Sequence, residues 1–270
     1  MQHSKQHAMP STTNEHLHAT DAERGVSYPT YLRLEELLAL QTPLSEPEHP
    51  DELLFIVVHQ SSELWFKVLR HELDQLIGAM QRFDTMRALL AVQRVNVLTE
   101  IVAQQLSALD TLPPQHFAQF RGYLGSSSGS QSAQFRAIEA TAGLRDPHFM
   151  SAITEHGAPP PEVAAALERP TLQAMAEALV AYEGVTLESI YTGPAPTPLF
   201  LLVEGLLEFE QRFARWRFLH VQLVERIIGP GTGGTGGTLG AKYLARTVSN
   251  RFFPSLWEVR SKFYGSATTT

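Results

Sequence analysis

Apolar positions recur at helical spacing through most of the chain, and the places where that spacing stops divide it into segments. Residues 51–76, DELLFIVVHQSSELWFKVLRHELDQL, form the segment around which the rest is organised. Asp51 and Glu52 stand where acids favour a helix start, and the apolar run carries the helix on towards Arg82. Phe55, His59, Ser62, Glu63 and Phe66 fall at i, i+4, i+7, i+8 and i+11, so they share one face. A second long helix is expected over 85–109, its broad apolar face built from Leu89, Val92, Val95, Leu98, Ile101, Val102, Leu106 and Leu109. Leu112-Pro113-Pro114 ends it. Phe117, Phe120 and Arg121 then sit on a short helix, ahead of the small-residue tract Gly125-Ser126-Ser127-Ser128-Gly129-Ser130.

Residues 141–170 read as short helices and loops. Helical pattern returns over 172–191, breaks at Gly193-Pro194-Ala195-Pro196, and resumes in the longest helix, about 197–228. There Phe209, Phe213, Trp216, His220 and Val224 follow one another on a single face. Gly229-Pro230 stops it, and a glycine-rich run, residues 231–240, follows. Such a run loses much entropy on ordering, so it either stays mobile or closes over a ligand. A final helical segment with Phe252, Phe253, Leu256 and Trp257 completes the chain. Nearer the start, Tyr28 and Tyr31 precede a leucine-rich helical run, and Pro43, Pro47 and Pro50 form the loop into the central helix. No stretch alternates like a strand. The expectation is an all-α protein with one large helical domain over residues 25–265, a polar disordered tail at 1–24 and a short one at 266–270.

Composition narrows the chemistry. The net charge of −7, with no basic run, argues against nucleic acid as partner. The complete absence of cysteine removes disulfides, zinc–thiolate sites, iron–sulfur clusters and cysteine nucleophiles together. There is no secretory pattern at the start and no apolar run near the ~20 residues of a membrane span, so the expected location is the cytoplasm. His3, His7, His16 and His18 dot the tail without ligand spacing.

Two histidines remain, His59 and His220, each on an apolar helical stripe. A buried imidazole needs a partner or a purpose. Either one alone is explained as a hydrogen-bonded core residue. Together, on two core helices, they suggest haem or a metal with carboxylate help, such as His59 with Glu63 or His71 with Glu72. Aromatic and small residues around a broad slot favour haem, with one axial imidazole and a second on the opposite face. In that reading Ser128 and Gly129 let a flat cofactor approach the backbone, and Arg121 pairs with a carboxylate.

Five stretches carry a resemblance: SYPTYLRL (27–34), FIVVHQSSELWFKVLRHEL (55–73), FAQFRGYLGSSSGSQSAQFR (117–136), RWRFLHVQLVERIIG (215–229) and GTGGTLGAKYL (234–244). In combination they resemble the tryptophan 2,3-dioxygenases, haem enzymes that open the indole ring of L-tryptophan. The resemblance implies haem b, one per subunit and active as Fe²⁺, with His220 as axial iron ligand. It implies that both atoms of O₂ enter across the indole C2–C3 bond to give N-formyl-L-kynurenine, the first step of the kynurenine pathway. His59 would be the distal hydrogen-bond partner of the indole N–H, with Phe55 and Phe117 lining the pocket and Arg121 holding the substrate carboxylate. Thr235, or Thr232 if the repeat GTGG is counted the other way, would contact the substrate's ammonium and carboxylate. Tyr28 and Tyr31 would reach a neighbouring subunit of a homotetramer. Ser130 is a departure, because the family usually has Phe there, and it is the main hint of a relative oxidising another indole or aromatic amino acid; a haem-based oxygen sensor is a further reading of a different class. A cofactor-free helical interaction protein is the reading in which both histidines are structural.

Overall fold

The computed structural model describes residues 25–154, 157–193, 196–233 and 240–265, and every regular element among them is helical. The chain divides into two compact units, residues 1–42 and 43–270, and the tyrosine-bearing segment belongs to the first, the long helices to the second. In the first unit α1 (Tyr28–Leu32) and α2 (Leu34–Leu38) are separated by Arg33, whose φ of 51° ends one helix and starts the next. Ser27 caps α1 by accepting the Thr30 N–H. The expected tails, 1–24 and 266–270, lie outside the described residues.

The second unit is built on three long helices. Helix α3 (Pro50–Gln81) starts with proline at its first position and with His49 Nδ1 accepting the Asp51 N–H. Helix α4 (Thr85–Gln105) is capped by Asp84 and tightens into a 3₁₀ turn at Leu106–Thr111, so the regular helix ends four residues before the pattern's limit at Leu109. Shorter helices follow: α5 (Pro114–Phe120), α6 (Ala133–Ala142), α7 (Pro147–Thr154), α8 (Pro161–Leu167), α9 (Leu172–Tyr182) and α10 (Leu187–Thr192). The single helical segment expected over 172–191 is thus two, separated where Gly184 takes a left-handed φ of 67°. Helix α11 (Pro198–Ile228) begins at a Thr197 cap, and α12 (Ala241–Thr247) and α13 (Pro254–Gly265) end the unit.

Helix α4 packs along both α3 and α11. Its crossing with α11 is close, because a Cβ on Gly205 would stand 2.8 Å from Val92 Cγ1. The main core gathers Leu69, Leu73, Leu76 and Ile77 of α3, Val92 and Val95 of α4, and Leu202, Leu206 and Phe209 of α11. Each such side chain contributes roughly 1.5–3 kcal/mol by leaving water. A smaller cluster, Val58, Leu106, Leu109, Leu112, Phe117, Phe120 and Leu223, lies towards the start of α3 and the end of α11. The two imidazoles sit beside this smaller cluster.

Pattern reading also expected one final helix where the structure has α12 and α13. The break has a long-range cause. Glu210 of α11 is fully buried and accepts the N–H groups of Phe252 and Phe253 at 2.6 and 2.8 Å, the Trp257 indole N–H at 2.6 Å and Arg251 at 2.9 Å. Those backbone donors are thereby spent outside a helix, and Pro254 restarts it.

Candidate active site

The face shared by Phe55 and His59 on α3 forms one wall. Their rings lie 4.2 Å apart, and His59 Nδ1 is 2.7 Å from the Phe55 carbonyl oxygen, one turn earlier. A carbonyl only accepts, so Nδ1 carries the ring proton and Nε2 keeps its lone pair. His59 is closely surrounded by protein yet presents more than a third of its surface. Burial pushes its pKa down, opposed by the Phe55 hydrogen bond and the charge of Glu63, and the imidazole is neutral at pH 7. Glu63 is held in turn by Gln134 of α6, which donates to its carboxylate at 2.9 Å and to its backbone carbonyl at 2.8 Å. Phe117 and Phe120 of α5 extend the wall, with Phe117 5.5 Å and Phe120 5.8 Å from Phe55.

His220 comes close to His59 from α11. Burial lowers its pKa to about 4, and repulsion from His59 adds to the shift, so the two rings feel each other electrostatically. Among the described residues neither nitrogen of His220 has a hydrogen-bond partner. Trp216, one turn earlier, stacks on it at 5.2 Å, and the buried Trp216 Nε1–H also lacks an acceptor. An unpaired, neutral imidazole with its lone pair free is the donor an axial metal bond requires.

Arg121 closes one end of the arrangement. Its Nη2 donates to the Gly233 carbonyl at 2.5 Å, and among the described residues no carboxylate lies within ion-pair distance of it. The Gly–Ser tract is a short, self-bonded loop: Ser128 and Ser130 hydroxyls are 2.9 Å apart, and Gln131 accepts the Ser128 N–H. A Cβ on Gly125 or Gly129 would meet nothing within 4 Å, so the backbone there borders open space. Thr235 lies outside the described residues, whereas Thr232 is described and exposed. Tyr28 and Tyr31 are 70% and 76% exposed on α1, in the other unit. The carboxylate-assisted metal pairs fare poorly: Glu72 is buried against Arg94, 3.2 Å away, and His71 is exposed.

The model of the tryptophan 2,3-dioxygenase family matches residues 12–155 and 172–263, nearly the whole chain. The chain belongs to the tryptophan 2,3-dioxygenase family. Among similar curated proteins, the tryptophan 2,3-dioxygenase of Kineococcus radiotolerans is 39% identical over 268 residues, covering 90% of this chain and 93% of the relative. That of Herpetosiphon aurantiacus is 38% identical, covering 88% and 98%, and that of Bacillus cereus 35% identical, covering 90% and 95%. The family is haem-dependent, and the donor set here fits that group: one imidazole unpaired among the described residues, a second near it, an orphaned indole N–H and an aromatic wall. Two features of this tryptophan 2,3-dioxygenase site escaped sequence reasoning. Trp216 was legible only as part of a stripe, although its i, i+4 relation to His220 was a usable signal, and the Gln134–Glu63 brace spans 71 residues and left none.

Proposed function

We propose that this chain is a haem b-dependent dioxygenase, one haem per subunit, that converts L-tryptophan and O₂ to N-formyl-L-kynurenine. The observation that carries the reading is the pair of imidazoles brought near each other, His220 without a hydrogen-bond partner among the described residues and His59 held as the Nδ1–H tautomer by the Phe55 carbonyl. His220 would hold the iron, with Ser128 and Gly129 beside the cofactor. The haem, when bound, supplies the activation of dioxygen.

The remaining work belongs to the protein. His59 Nε2, being an acceptor, receives the hydrogen bond of the indole N–H, which selects an indole ring and orients its C2–C3 edge. Phe55 and Phe117 pack the ring and exclude water. Arg121 binds the substrate carboxylate as a charge-assisted pair, exchanging a neutral carbonyl for an anion. Thr235 completes the contacts to the amino-acid head group. Tyr28 and Tyr31 act in a neighbouring subunit's site within a homotetramer, and the enzyme works in the cytoplasm. Among the described residues no helix is long and apolar enough to cross a membrane.

The test is direct. The haem-loaded protein is reduced, supplied with L-tryptophan in air, and followed by the absorbance of N-formylkynurenine. Product formation with one O₂ consumed per tryptophan is expected. A haem-loaded protein that binds tryptophan but makes no product overturns the proposed reaction, and a protein that takes up no haem overturns the cofactor.

A further inference from the structure

We propose that His49, Asp51 and His116 form a binding site for a divalent transition-metal ion of the zinc class, separate from the haem pocket. Each residue offers one ligand atom, and these atoms lie within 4.8 Å of one another. They come from the two sides of one joint: His49 caps α3 and Asp51 occupies its first turn, while His116 lies in α5. His116 Nδ1 is 2.7 Å from Asp51 Oδ2. Nδ1 is therefore the donor here, and an ion shared with Asp51 would replace that proton at Nδ1, leaving the ring proton on Nε2. The His49 ring stands 5.3 Å from that of His116, and its Nδ1 accepts only the Asp51 N–H, at 3.2 Å. An ion would compete with that one long bond.

A tetrahedral ion with bonds of about 2.0–2.1 Å holds its ligand atoms about 3.3 Å apart, so the three groups must close by up to about 1.5 Å. They have the freedom to do so, because the His116 and Asp51 side chains are 42% and 31% exposed. Solvent reaches the open coordination position. Two imidazoles and one carboxylate suit zinc, nickel or copper, and do not suit magnesium or calcium, which require oxygen ligands. The joint also bears on the pocket wall. Phe117 follows His116 directly, Phe55 lies one turn after Asp51, and the Tyr123 hydroxyl donates to the Glu46 carbonyl at 2.8 Å beside them. An ion here fastens α5 to the start of α3.

The experiment is equilibrium dialysis of the full-length, haem-loaded protein against micromolar ZnCl₂, with thermal melting in parallel. His49→Gln and His116→Gln are each expected to bind one zinc fewer than the unmutated chain and to lose the zinc-dependent rise in melting temperature. The N-terminal histidines are common to all three proteins, so the difference isolates the site. H116Q retains an N–H for Asp51, and an unchanged Soret band and far-UV spectrum verify its fold. Equal zinc content in all three overturns the proposal, as does an equal loss in His71→Gln, which alters an exposed histidine outside the cluster.

Discussion

The main core and the smaller cluster differ in what their buried polar groups bond to. In the main core, Glu210 receives four donors, and Glu139 receives Arg217 at 2.6 Å and Arg136 at 2.8 Å. The Arg217 guanidinium lies 4.9 Å from the centroid of Phe213 and 5.1 Å from that of Phe252. Beside the smaller cluster, His220 is nearly neutral by burial and has no hydrogen-bond partner among the described residues, and Trp216 Nε1 is likewise unpaired. Unmade hydrogen bonds weaken a fold, whereas satisfied ones in a low-dielectric core specify it. In the first region the buried carboxylates are paired by the chain itself, with Arg217 Nε and Asn96 Oδ1 left over, whereas beside the second the imidazole of His220 has no such partner among the described residues.

The contrast breaks most sharply under truncation. Glu210→Ala strands three N–H donors and one guanidinium and is expected to lower stability by about 3–5 kcal/mol, read by urea unfolding, with α13 detaching first in hydrogen exchange. His220→Ala should do the reverse: apo-protein stability changes by less than about 1 kcal/mol, while the Soret band of the haem-loaded protein is lost. A full Soret band in that variant would remove His220 from the iron.

Acid should separate the regions next. The His220 pKa falls from 6.5 in the unfolded chain to about 4 in the fold. The unfolded state therefore binds the proton first, so stability contributed at neutral pH is lost as pH drops from above 6.5 through 4, by a total on the order of 3 kcal/mol. Urea unfolding of the apo-protein at pH 7 and pH 5 checks this, and His220→Gln should show a smaller difference between the two. An identical pH dependence in both would mean the ring is not desolvated in solution.

Arg121→Ala is expected to act on substrate binding alone, by about 2–3 kcal/mol. It should raise the KM for tryptophan on the order of 100-fold with the haem spectrum intact. A KM within a factor of two of the unmutated enzyme would leave the guanidinium as a loop anchor through Gly233 and nothing more.

Most of the helical architecture could be read along the chain, since α3, α4 and α11 are long enough for periodicity to average out local exceptions. The exceptions are where a distant residue intervenes. Pro254 is the local sign of the break between Ala241 and Lys262, but the carboxylate that holds the backbone there, Glu210, is more than 40 residues away. Arg217 on the apolar side of α11 looks out of place until Glu139 is found 78 residues earlier. His59 and His220 could be named as candidates, but their nearness in space and the tautomer of His59 could not. The His49–Asp51–His116 group was missed because Asp51 and His116 are 65 residues apart, and each alone looks like an ordinary polar residue at a helix start.

The amino-acid sequence by itself determined the all-helical class, the exclusion of thiol chemistry, the family, and the two imidazoles on apolar stripes. These follow from spacing and residue type, which act over a few turns of chain. Only the tertiary structure decided which buried polar groups are satisfied and which stay open. Burial and hydrogen-bond partnership are properties of residues that meet from far along the chain: Glu210 with Phe252, Glu139 with Arg217, His59 with His220. One carboxylate thus became a clamp and one imidazole a free ligand, although both sit on the same helix, α11, ten residues apart.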